Sequence, residues 1–149
     1  MILLSRRGQL ALAAVADIAI HARPTPVAAK ALAARLELPP RRLESLLQEL
    51  VHANILKGVR GPRGGYELAR ERRRITAASI LRAVSSEAGD DPTEAPDCRL
   101  VRQVVAPIVE AAGKVFLEKL ETVTVDDICR RAEDLKFGDV KGAGADFTI

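Results

Sequence analysis

Aromatic side chains are scarce in this sequence: one tyrosine, three phenylalanines and no tryptophan in 149 residues. The interior must therefore be filled by Leu, Val, Ile and Ala, a composition typical of packed helices. Cysteine is rarer still. Cys98 and Cys129 stand far apart, and a structural disulfide is not expected in a reducing cytosol. No apolar run approaches the roughly 20 residues that a membrane span needs. The opening "MILLSRRGQL" places its arginines after the apolar residues, the reverse of a secretory signal. These absences predict a cytoplasmic, helix-rich chain. A hydrophobic content of 48% excludes a disordered one, and the length suits a single domain with one core.

Groupings that carry catalytic chemistry are also lacking. The two histidines, His21 and His52, suggest no dyad. The segment "GPRGGY" lacks both the spacing and the lysine of a phosphate-binding loop. The adjacent pairs Asp90–Asp91 and Asp126–Asp127 read as a solvated loop and a helix start. An enzyme is not expected.

What is present is a charge asymmetry. Residues 35–74 carry ten basic and five acidic side chains, whereas residues 86–135 carry six basic and twelve acidic. Such a split suits a chain whose first half meets a polyanion. The pattern of elements agrees. Ser5 is an N-cap before a helix with Leu12, Val15, Ala16 and Ala19 at helical spacing, ended by "RPTP". "VAAKALAARL" predicts a short helix. After "ELPP" comes a second, with Leu43, Leu46, Leu47, Leu50 and Val51 on one apolar face. This is helix-turn-helix order.

The next stretch, "KGVRGPRGGYELAR", predicts two short strands joined by a Gly/Pro loop. A hairpin directly after the second helix of a helix-turn-helix is a wing, and Arg60 and Arg63 fall at or near its tip. An arginine on a narrow projection can enter a minor groove and read its width. Further on, Thr76 caps a helix with Ile80, Leu81 and Val84 inside. A long apolar-periodic segment runs from Cys98 to about Leu120, which Pro107 should kink or split. Its stripe of Val101, Val105, Ile108, Ala112 and Val115 predicts a dimer helix, since two-fold proteins match palindromic DNA. "TVTVDDICRRAEDL" predicts a last short helix, with Cys129 as a buried small residue.

Three segments, "LSRRGQLALAAVADIA", "LPPRRLESLLQELVHANILKGVRGPRGGYELAR" and "LETVTVDDI", together resemble the Rrf2 family of bacterial winged helix-turn-helix regulators. They stand in family order and cover most of residues 3–128; the wing "RGPRGGYELA" is the most specific piece. The resemblance implies a mainly α fold with a small β-hairpin and a long dimerisation helix. Residues 1–87 would form the DNA-binding domain, 88–97 a sensor-type loop, 98–135 the dimerisation helices and 136–149 a flexible tail. The implied function is that of a homodimeric transcriptional regulator, a repressor, on palindromic double-stranded DNA.

Carried over by position, Arg60 is the wing arginine, while Arg41, Arg42, Glu44 and Gln48 lie on the exposed side of the recognition helix. A glutamate there can accept from cytosine N4, and the two arginines serve phosphates at least as readily as bases. Cluster-binding members carry three cysteines in the sensor loop, but "SSEAGDDPTEAPDCRLVRQ" holds Cys98 alone. An iron–sulfur cluster needs about four ligands, mostly thiolates. No cofactor or metal is therefore assigned. Cys98 has three readings: an ordinary residue near a helix start, a redox-sensing thiol favoured by the helix dipole and Arg99, or part of an unusual metal site.

Overall fold

The computed structural model describes residues 5–85 and 98–136. Helix α1 spans Arg6–His21, α2 Ala29–Arg35 and α3 Pro40–His52. Strands β1 (Leu56–Val59) and β2 (Gly65–Leu68) pair antiparallel, with Leu56 opposite Leu68 and Val59 opposite Gly65. A single 3-10 turn at Arg72–Arg74 leads into α4 (Ala77–Val84), and after Cys98 come α5 (Ala106–Glu121) and α6 (Val125–Asp134).

Ser5 and Thr76 cap their helices as the sequence predicts, and a third cap stands at Thr124. Ser5 accepts from the Gly8 amide at 3.0 Å, and Thr76 accepts from the Ser79 amide at 3.1 Å. Thr124 and Asp127 cap α6 reciprocally, the Asp127 amide donating to Thr124 Oγ1 at 3.1 Å and the Thr124 amide to Asp127 Oδ2 at 2.9 Å. Those bonds to the charged carboxylate hold the Asp127 pKa below its ordinary value.

One core joins these elements. It is built from Ala14, Val15 and Ile18 of α1, Leu32 of α2, the leucines of α3, Ile55, Ile75, Ile80 and two residues of α6, Val125 and Cys129. Leu43, Leu46, Leu47 and Leu50 are fully buried, each contributing about 1.5–3 kcal/mol of hydrophobic stabilisation. Val51, expected on the same face, is instead 36% exposed. A helix of 3.6 residues per turn carries position 51 past the edge of the buried stripe. In α1 the buried face likewise runs through Gly8, Ala11 and Ala14, so Leu12 and Ala16 lie at its margin.

Two further features bear on the expected arrangement. Of the two outcomes expected at Pro107, a kink or a split, the helix is not split. The five residues before α5, Val101–Val105, form a π turn, and the Ala106 amide bonds to the Val101 carbonyl. Widening the helix there accommodates a residue that has no N–H and whose ring would crowd the preceding turn. Helix α6 lies within the segment assigned to dimerisation, yet it is stitched to the winged body. The Ala77 amide bonds to the Val123 carbonyl and the Val125 amide to the Ile75 carbonyl, each at 2.8 Å. The expected sensor-type loop, 88–97, and all but the first residue of the expected tail, 136–149, lie outside the described residues.

Candidate nucleic-acid interface

The turn between α2 and α3 is short and fixed. Leu36 ends α2, Glu37 adopts φ 55°, and the Leu38 amide returns to the Ala33 carbonyl at 3.0 Å. Pro39 then caps α3 and Pro40 opens it, a position where proline loses no helical bond. The pair α2–α3 is held to α1 by a fork. Arg35 Nε and Nη2 donate to the Asp17 carboxylate at 2.8–3.1 Å, and this bonding raises the Arg35 pKa. Because the leucines of α3 all point inward, its other side is bare. Arg41, Arg42, Glu44 and Gln48 are all exposed there.

The wing is a two-stranded ribbon whose connecting residues, 60–64, hold both predicted arginines. Lys57 and Glu67 pair across the strands at 2.9 Å. The Gly64 amide closes the turn on the Gly61 carbonyl at 2.9 Å, with Gly61 at φ 115°. A side chain at Gly64 would stand 2.2 Å from the Val59 carbonyl oxygen. Arg60 and Arg63 are exposed and make no ion pair among the described residues.

Sequence reasoning missed how the wing is fastened. Val27, just ahead of α2, bridges to Tyr66: the Val27 amide donates to the Tyr66 carbonyl at 2.9 Å, and the Tyr66 amide donates to the Val27 carbonyl at 2.8 Å. Gly65 makes this approach feasible, since a Cβ there would lie 2.2 Å from the Val27 oxygen. An open concavity of about 500 Å³ lies between the start of α2 and the wing, lined by Ala28, Ala29, Val59, Arg60 and Tyr66. A lone β-branched residue ahead of an Ala-rich helix is the only sequence signal for that bridge.

The predicted dimer stripe is largely exposed among the described residues. Ile108 and Val115 are each 65% exposed, Val105 and Ala112 are exposed, and Val101 is half-buried. Leu100, Val104 and Val109, not singled out from sequence, are exposed beside them. Helix α5 also packs against α4, and a groove of about 530 Å³ beside them is lined by Phe116 and Leu117 of α5, Leu81 and Val84 of α4, and Ser5 and Gly8.

The two thiols differ sharply. Cys98 is exposed at the start of the α5 segment, whereas Cys129 is sealed in the core, where burial pushes its thiol pKa up. His21 is engaged with the Asp17 carbonyl at 2.9 Å, and His52 is exposed at the end of α3. No three His, Cys, Asp or Glu side chains among the described residues stand close enough to hold a metal ion. With one accessible cysteine per chain, the donor set does not fit a thiolate-ligated iron–sulfur cluster.

Known proteins supply the rest. A family model, Rrf2, described as an iron-dependent transcriptional regulator, matches residues 4–131. A Synechocystis sp. sequence, slr0846, whose name marks it as a candidate HTH-type transcriptional regulator, is 28% identical over 98% of this chain and 99% of its own length. The HTH-type transcriptional regulator IscR of Vibrio atlanticus is 32% identical over 64% of this chain, which spans about half of that relative, 52%. The solved structure of T. potens IscR superposes with a TM-score of 0.71 at 32% identity, covering 89% of each chain. CymR, titled the global cysteine regulator of B. subtilis, gives 0.65 at 28%, over 88% of this chain and 98% of its own. The winged helix-turn-helix and the matched family lead to one conclusion: the chain belongs to the Rrf2 family, as a DNA-binding transcriptional regulator and not an enzyme.

Proposed function

We propose that the chain acts in the cytoplasm as a homodimer that binds palindromic double-stranded DNA and represses the genes beside it. The observation that carries this reading is the bare outer side of α3, set next to a wing whose two arginines are unpaired. In this reading Arg41 and Arg42 meet phosphates, Glu44 and Gln48 face base edges, and Arg60 and Arg63 enter a flanking minor groove. The apolar stripe from Val101 to Val115 forms the two-fold contact. A two-fold unit seated on an operator excludes other proteins from the same duplex, hence repression.

Binding to a palindromic duplex, selected by the protein from a randomised pool, tests the proposal. Affinity should fall steeply with salt, with a log–log slope of several units as phosphates are neutralised. Glu44→Ala should alter the ranking of operator variants, each changed base pair shifting by about 1–3 kcal/mol, more than it alters total affinity. A salt-independent interaction, or an unchanged ranking, would refute the corresponding assignment. A second reading adds a redox response, favoured by the exposure of Cys98 at the start of the α5 segment. Operator affinity before and after peroxide, for wild type and Cys98→Ser, decides it. A response that survives the substitution excludes Cys98.

A further inference from the structure

The recognition helix is held by two kinds of contact. Its leucines pack on α2, α4 and β1. An ion pair then reaches it from α1: Arg7 Nη2 donates to Glu49 Oε1 at 2.6 Å, across 42 residues of sequence. Both partners are half-buried, with side chains 24% and 35% exposed. Arg7 Nε and Glu49 Oε2 are enclosed without partners of their own. Solvent therefore does not replace the bond readily, and removing either side chain strands the other's charge.

The leucines set which face of α3 is buried, and a directional polar tether at the margin of that face adds a constraint on its fine roll. Glu49 lies on the edge between the buried and bare sides of α3, adjacent in sequence to Gln48. A tether at that edge controls roll. We propose that Arg7 is a positioning residue for operator recognition, acting through Glu49 to set the roll of α3 and so the aim of Glu44 and Gln48. The inference rests on the DNA-binding surface proposed above. It gives Arg7 a role other than phosphate contact, although its charge alone suggests the latter.

The experiment compares the full-length protein and its variants on two duplexes: the palindrome selected by wild type, and a scrambled duplex of equal composition. Wild type must first discriminate between them; if it does not, the recognition-helix reading fails before Arg7 is tested. Arg7→Ala should lower the discrimination ratio about tenfold, the size of one disturbed base contact, with scrambled-duplex affinity and salt slope unchanged. Arg7→Lys should restore most of the ratio. So should the exchanged pair Arg7→Glu with Glu49→Arg, because it rebuilds the tether with reversed charges. Three results would overturn the proposal: an unchanged ratio in Arg7→Ala; a salt slope reduced by about one unit, which marks a phosphate contact; or failure of both rescues. Arg7→Lys keeps the charge and much of the packing, so it remains informative if Arg7→Ala proves unstable.

Discussion

Arg60 and Arg63 leave the wing with their charge unspent, whereas Arg7, Arg35 and Arg82 are each matched to a carboxylate. An unpaired guanidinium at a turn loses little when solvated, so its absence should not disturb the fold. Arg60→Ala should therefore keep its melting temperature while its operator salt slope falls by about one unit. An unchanged slope would remove Arg60 from the DNA surface. The cysteines separate on the same basis of exposure. Cys129 carries a thiol pKa raised by burial. A raised folded-state pKa favours the fold fully below the unfolded value and loses that contribution as pH rises through the folded one, so Cys129 destabilises only in alkali. At neutral pH, alkylation of the native protein should modify one thiol per chain, Cys98. The second should react only in denaturant, as mass spectrometry of the labelled peptides would show.

At the scale of elements, the helix-turn-helix and hairpin are legible because each announces itself locally. Ser5, Thr76 and Thr124 stand at helix starts, and glycines crowd the turn that needs them. What escapes the sequence are contacts between elements. Nothing near Val27 announces Tyr66, and nothing near Asp17 announces Arg35, since such pairs depend on how helices cross. Pro107 shows the converse. The rule that proline breaks a helix is local, but a π turn offers the chain a way through. The Val27–Tyr66 bridge has a checkable consequence. Gly65→Ala would place a carbon 2.2 Å from the Val27 oxygen. Either the bridge opens or the ribbon shifts, at a cost of about 1–3 kcal/mol. Faster amide exchange at Val27 and Tyr66, weaker operator binding and retained helical circular dichroism are the expected signature. Unchanged exchange would mean that the wing is held by other contacts.

The molecule as a whole is a winged body closed by α6, from which α5 presents one packed side and one bare side. The segment after Cys98 was legible as a long apolar-periodic helix, but a period alone does not say which side packs at home. Phe116 and Leu117 line the groove beside α4, and Leu100, Val104, Ile108, Val109 and Val115 are left exposed. An exposed apolar stripe of that kind is the face expected to take a second copy. If a second copy covers it about a two-fold axis, Ile108 of one protomer lies in a contact with no water to solvate a charge. Ile108→Glu would then bury a carboxylate without a partner, costing several kcal/mol against association. In the separated chain the same residue is 65% exposed, so the substitution should leave the monomer folded. Sedimentation should report a monomer with native circular dichroism, and palindrome affinity should drop toward that of a half-site. A stable dimer with full palindrome affinity would place the two-fold contact elsewhere on the molecule.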